Sequence, residues 1–156
     1  MTLVFSKAGT LLQKTYVDFV AERIAPRGWD VMKTAGLGKW SAQKLVGAVV
    51  FHDWNPDAGV MCMSGAGDRG WYSLGLIYKA HRYIFDEAKC QLAVMQVSDR
   101  NDLMKRTAEH FGYEGVHIPR LRGRAEGEMI YTLTEERWRD HPLTARAVEK
   151  ERRKML

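Results

Sequence analysis

Cysteine is scarce: the chain contains only Cys62 and Cys90. Both sit in apolar company and form no metal-ligand spacing. They read as reduced core residues, which excludes a disulfide framework and a cysteine-based zinc site. Long apolar runs are also missing. The longest, residues 45–51, is too short to cross a bilayer and is interrupted by Gly47. Residues 1–5 lead at once into Ser6 and Lys7, so no secretory leader is read and a cytoplasmic protein is expected. Internal repeats and low-complexity segments are absent, which excludes a repeat architecture.

What is present is ordinary for one globular domain: 156 residues, 46% hydrophobic and 28% charged. The net charge of +5 collects at the end. From residue 137 to 156 there are seven basic side chains against three acidic ones. The expected division is a domain over residues 1–138 and a basic, helical tail over 139–156. Such a tail can touch nucleic acid, a membrane surface or an acidic protein; a solvated helix is the simpler reading. With few apolar residues after Leu143 and Val148, the tail is expected to be dispensable for folding, while Trp138 packs on the body.

In chain order, residues 3–5 form a short strand and Thr10 caps a helix over residues 11–24. Leu12, Tyr16, Phe19, Val20 and Ile24 share its inner face, with Gln13, Lys14, Asp18 and Glu22 toward water. A weak strand over 32–38, a loop over 39–43 and a strong strand over 44–54 follow. The turn Asn55-Pro56-Asp57-Ala58-Gly59 leads to an apolar strand that opens the stretch VMCMSGAGDRGWYSLG, residues 60–75. Three consecutive strands with short connections make an antiparallel meander. The glycines from Gly65 to Gly70 read as a loop between strand and helix. There, free N–H groups at a helix N-terminus can hold a phosphate, or the glycines make a plain surface turn. The helix runs over 72–87, with His81 on it as a packed histidine. A strand over 91–97, a helix capped by Ser98 or Asp99 and ending at Gly112, and strands over 113–121 and 128–134 complete the order. This is an α+β pattern with a mostly antiparallel sheet, in which the helical crossover lets residues 91–97 run parallel to 60–63.

The landmarks Tyr83-Ile84-Phe85, the strand 91–97, Asn101 and His110-Phe111-Gly112-Tyr113 resemble the second half of the GNAT family of acyl-CoA N-acyltransferases. Residues 71–85 together with Glu136-Arg137-Trp138 look most like small GNAT-like proteins encoded by bacteriophages. The resemblance implies a V-shaped splay between two central parallel strands, helices on both faces, and acetyl-CoA or another acyl-CoA as co-substrate. It implies that Met61, Cys62 and Met63 line the pantetheine arm. Gly65, Gly67, Arg69, Gly70 and Ser73 would surround the pyrophosphate, and Asn101 would reach the arm beyond the splay. The family's usual phosphate-loop spacing is not reproduced, Leu74 stands where related phage proteins carry arginine, and Ala108 stands where many members carry an acid tyrosine.

The residues offer His52 and Asp53, at the end of the strong strand, and Glu126 or Glu128, in the last hairpin, as general bases for an attacking amine. A backbone N–H of the 61–63 strand would hold the oxyanion. The leading expectation is N-acyl transfer from acyl-CoA to an amine of a protein or small molecule. The alternative is a non-catalytic GNAT-fold structural or interaction protein, such as a phage-particle component with a phage or host protein partner. A nucleic-acid-associated protein using the tail ranks third.

Overall fold

The computed structural model describes residues 1–156. Seven strands form one sheet in the order β1-β2-β3-β4-β5-β7-β6. These are β1 (Thr2–Ser6), β2 (Ala35–Ser41), β3 (Lys44–Asn55), β4 (Val60–Gly67), β5 (Leu92–Ser98), β6 (Glu114–Ile118) and β7 (Glu128–Thr134). Every neighbouring pair is antiparallel except β4 and β5, which are joined by a helical crossover and run parallel. The mixed, mostly antiparallel α+β sheet expected from the sequence is therefore the observed one.

Helices cover both faces. On one, α1 (Leu11–Ile24) lays Tyr16, Val17 and Val20 against Ala48, Val50 and Ala66. On the other, α2 (Leu74–Arg82) and the wide turn that continues it, Tyr83–Glu87, bury Leu76, Ile77, Ala80, Ile84 and Phe85 against Val49, Phe51, Met61, Met63 and Met95. The helix α3 (Asp102–His110) joins the second face through Ala108. Thr10 caps α1 as expected, its hydroxyl accepting from the Gln13 N–H at 3.1 Å. Gln13 itself is buried rather than solvated. Its amide accepts from Ser6 at 2.5 Å and donates to Thr34 at 2.9 Å, so the polar group is satisfied inside.

The strand β2 extends to Ser41 rather than ending at residue 38, and its glycines do not break it: glycine inside a strand can serve as a seat for an aromatic ring. Gly36 and Gly38 dilute β2 in sequence, yet β2 is regular, because a Cβ at Gly38 would stand 2.2 Å from Tyr16 Cζ. The hairpin between β2 and β3 needs only Ala42 and Gln43, with Ala42 at a φ of +52°.

The tail is helical. It comprises α4 (Glu135–Asp140), with Trp138 buried against Phe85 and Tyr78, and α5 (Pro142–Lys154). Instead of projecting into solvent, α5 packs on α2 and buries Ala147, with Leu143 half-buried beside it. Removing residues 143–156 is therefore expected to lower the melting temperature by several degrees. The loss corresponds to about 1–2 kcal/mol for the apolar contact removed. Thermal denaturation of the truncated chain checks this; an unchanged midpoint would restore the expectation of a dispensable tail.

Candidate functional site

The parallel pairing of β4 and β5 covers only Val60–Leu92, Met61–Ala93 and Cys62–Val94. Beyond it the two strands diverge, while β4 stays paired to β3 as far as Gly67. The orientation of the backbone along β4 follows from its two ends. Leu92 N–H donates to Gly59 C=O, and Asp68 N–H donates to Val46 C=O. Odd residues of β4 thus turn their N–H and C=O groups toward β5, and even residues toward β3. The Met63 N–H completes the Cys62–Val94 pairing; past it, the Met63 C=O and the backbone groups of Gly65 face the opening V with no strand partner. Backbone polar groups require one, and the free edge carries the donor and acceptor pattern with which an added extended chain pairs.

A cavity of ≈ 1000 Å³ occupies one side of the V. Its floor is Gly65, Ala66 and Gly67; its walls are the start of α2 (Trp71, Tyr72, Ser73, Leu74) and α3 with its cap (Asn101, Met104, Arg106, Thr107, Phe111). The glycine-rich stretch differs from the sequence reading. Residues 64–67 are strand, not loop, and only Asp68-Arg69-Gly70 turns. The reason is Trp71, whose indole lies flat over three glycines: a Cβ on Gly47, Gly65 or Gly67 would come within 2.5, 2.8 or 2.3 Å of it. Lys39 holds the chain there by donating to the Trp71 carbonyl at 2.9 Å.

Ser73, expected at the phosphate, is the cap of α2; its hydroxyl accepts from the Leu76 N–H at 3.3 Å. The Leu74 and Gly75 N–H groups lie at the head of the helix, and Gly75 is open to space. Gly70 has a φ of +83° and no neighbour within 4 Å. Arg69 is exposed and does not line the cavity; the guanidinium-bearing residues that do are Arg23 and Arg106. Asn101 lines it, with its carboxamide oxygen capping α3 through the Met104 N–H at 3.1 Å.

A second cavity, ≈ 300 Å³, opens on the α1 side of the same V. Met63, Ser64 and Gly65 of β4 form one wall, Met95 to Ser98 of β5 the other, and the end of α1 with Arg122 closes it. His52 and Asp53 do not line this cavity but stand behind its wall, connected to it through Ser64. His52 Nε2 lies 2.8 Å from Ser64 Oγ, and His52 Nδ1 lies 2.5 Å from Asp53 Oδ2. Consecutive strand residues normally point to opposite faces. Asp53 sits in a bulge of β3 at a φ of +52°, and this kink puts its carboxylate beside its neighbour's ring. The ring packs 5.1 Å from the Trp29 ring, centroid to centroid. Burial pulls the imidazole below its ordinary range, with the Asp53 charge acting in the opposite sense. The neutral ring then donates Nδ1–H to Asp53 and accepts the Ser64 hydroxyl at Nε2.

The other expected residues fall as follows. Met61 is in the core; Met63 is buried and lines the second cavity. Cys62 is half-buried and faces away from that core, with its sulfur within 4.8 Å of ligand atoms of His52 and Asp53. Burial and the Asp53 charge raise the thiol pKa. Glu128 is buried in an ion pair with Arg122 at 2.5 Å, and Glu126 pairs with Arg100 at 2.8 Å, so both carboxylates are engaged. Cys90 is buried. His81 is buried as well, its Nδ1 on the Ile77 carbonyl and its Nε2 on the Tyr113 hydroxyl, and desolvation lowers its pKa to about 4. Sequence reasoning did not single out Ser64, Trp71, Arg23 or Arg106 for these roles. The first pairs with His52 across two strands, a relation that strand register alone reveals.

No known family profile matches the sequence, and no curated protein matches it. Solved structures do match. A chimera of spermidine N-acetyltransferase SpeG from Vibrio cholerae and hSSAT superposes with a TM-score of 0.70 at 12% identity, over 90% of this chain and 100% of that one. A point mutant of Vibrio cholerae SpeG gives 0.68 at 13% identity, over 90% and 98%. A GCN5-related N-acetyltransferase from Brucella melitensis gives 0.60 at 16% identity, over 73% of this chain and 56% of that one. The chain spans 66% of the length of a further matched structure. The chain thus has the GNAT acetyltransferase fold.

Proposed function

We propose that the protein is an acyl-CoA-dependent N-acyltransferase, most simply an acetyl-CoA one. The observation that carries this reading is the V itself: an unpaired β4 edge running from the second cavity into the first, and ending at the head of α2. The pantetheine arm would pair with the Met63 and Gly65 carbonyls, as an added strand does, which leaves the Gly65 N–H for the oxyanion. The pyrophosphate would rest on the Leu74 and Gly75 N–H groups beside Gly70, with Arg23 and Arg106 supplying charge. The amine would enter through the smaller cavity, where His52, acting through Ser64 and oriented by Asp53, is the general base. The tetrahedral oxyanion would be held by a free N–H of β4.

Calorimetric titration with acetyl-CoA and CoA tests the reading. Gly70→Asp is expected to weaken binding about ten- to a hundred-fold, since it adds negative charge where the phosphate approaches the helix. Binding unaffected by Gly70→Asp would move the phosphate elsewhere. One observation favours a second reading, a non-catalytic interaction protein on this fold: packing against Trp71 alone accounts for Gly47, Gly65 and Gly67. Absence of CoA binding at millimolar concentration would select it.

A further inference from the structure

We infer that Ser64 is a nucleophile, and that the protein can pass an acyl group through an acyl-Ser64 ester to water. The inference rests on the acyl-CoA reading above and adds a second activity, thioester hydrolysis, to the same site.

Ser64 Oγ, His52 and Asp53 are linked in series by contacts of 2.8 and 2.5 Å, the order of a serine hydrolase relay. The hydroxyl that would relay an amine's proton to His52 is itself placed to attack a carbonyl carbon. Ser64 lines the cavity at the point where β4 and β5 part. Its successor, Gly65, turns its N–H to the cleft, and the N–H after the nucleophile is a recurrent oxyanion donor. The imidazole side chain is only 11% exposed, so the relay is shielded where the proton moves, while the carboxylate end is open to solvent.

In the first step Ser64 Oγ gives its proton to His52 Nε2 and attacks the thioester carbonyl carbon. A C–O bond forms, the C–S bond breaks, and the thiolate leaves with the proton from His52. In the second, His52 takes a proton from water as it attacks the ester. The Ser64 oxygen leaves and recovers that proton, and a carboxylic acid is released.

The test incubates the full chain with acetyl-CoA and no amine, follows thiol release, and maps adducts by acid-quenched peptide mass spectrometry. One acetyl group on the peptide containing Ser64 is expected. In Ser64→Ala, thiol release should fall by about 10²-fold or more, with melting temperature and CoA affinity retained. Normal CoA binding with no adduct on Ser64, or with thiol release unchanged in Ser64→Ala, overturns the inference and leaves the acyl-CoA reading standing. Failure of the unmodified protein to bind CoA overturns both.

Discussion

His52→Gln is expected to reduce kcat for thiol release from acetyl-CoA by about 10²- to 10⁴-fold while leaving CoA affinity unchanged. Glutamine can still reach the Ser64 hydroxyl, so the packing survives, but it cannot take a proton at neutral pH. CoA affinity is spared because His52 does not line the larger cavity. The pH profile supplies a second readout. The base works as the neutral ring, whose pKa lies below its ordinary value of about 6.5 through burial. The rate should therefore be flat at neutral pH and above, and fall only as pH drops into the acidic range. In His52→Gln that acid limb should vanish. Asp53→Asn should cost less, about ten-fold, because the Asp53 carboxylate is 74% exposed and its charge is screened by solvent. A wild-type rate in His52→Gln, measured at pH 7.5 or any neutral pH, would remove His52 from the chemistry.

Gly67→Val is expected to be among the most damaging substitutions for stability, although a glycine in a polar-looking stretch gives no such warning. The new Cβ would stand 2.3 Å from Trp71 Cγ, and the indole has β3 and β4 beneath it. Relief requires Trp71 to leave its seat, at a cost of about 3 kcal/mol. For a chain of this size that is roughly 6–12 °C in melting temperature. Gly70→Ala makes the contrast. Its Cβ meets nothing within 4 Å, so only the strain of a φ of +83° remains, about 1 kcal/mol. In a Trp71→Ala background the Gly67→Val penalty should shrink, since the clash is gone, and a double-mutant cycle measures that coupling. Equal melting temperatures for the Gly67 and Gly70 variants would refute this account of the glycines.

The fold was legible because it rests on local signals. Thr10, the Asn55–Gly59 turn and the β-branched strand over 44–54 each declare an element, and the helical crossover before residue 91 dictates a parallel pair; the cap of α3 is Asn101 where Ser98 or Asp99 was expected. The extent of the glycine loop was not legible. Glycine is a poor strand former in isolation, and only the tertiary position of Trp71 turns Gly65 and Gly67 into strand. Half of the smaller site was visible: His52 and Asp53 stand adjacent at a strand end. Their partner Ser64 lies across a strand pairing, and the bulge that unites His52 with Asp53 depends on a single residue at positive φ. Gln13 shows the same limit, being polar in sequence yet buried, because its amide accepts from Ser6 and donates to Thr34.

The two orientations that alternate along β4 separate what evolution can alter from what it cannot. On the proposed reading, the odd residues serve the cofactor with main-chain groups, which every amino acid carries. The even ones, Cys62, Ser64 and Ala66, present side chains on the α1 side of the sheet. Changes at the even positions can then alter acceptor chemistry without touching cofactor recognition, whereas Gly65 and Gly67 are held by the Trp71 ring above them. A binding mode written in main chain leaves little trace in sequence.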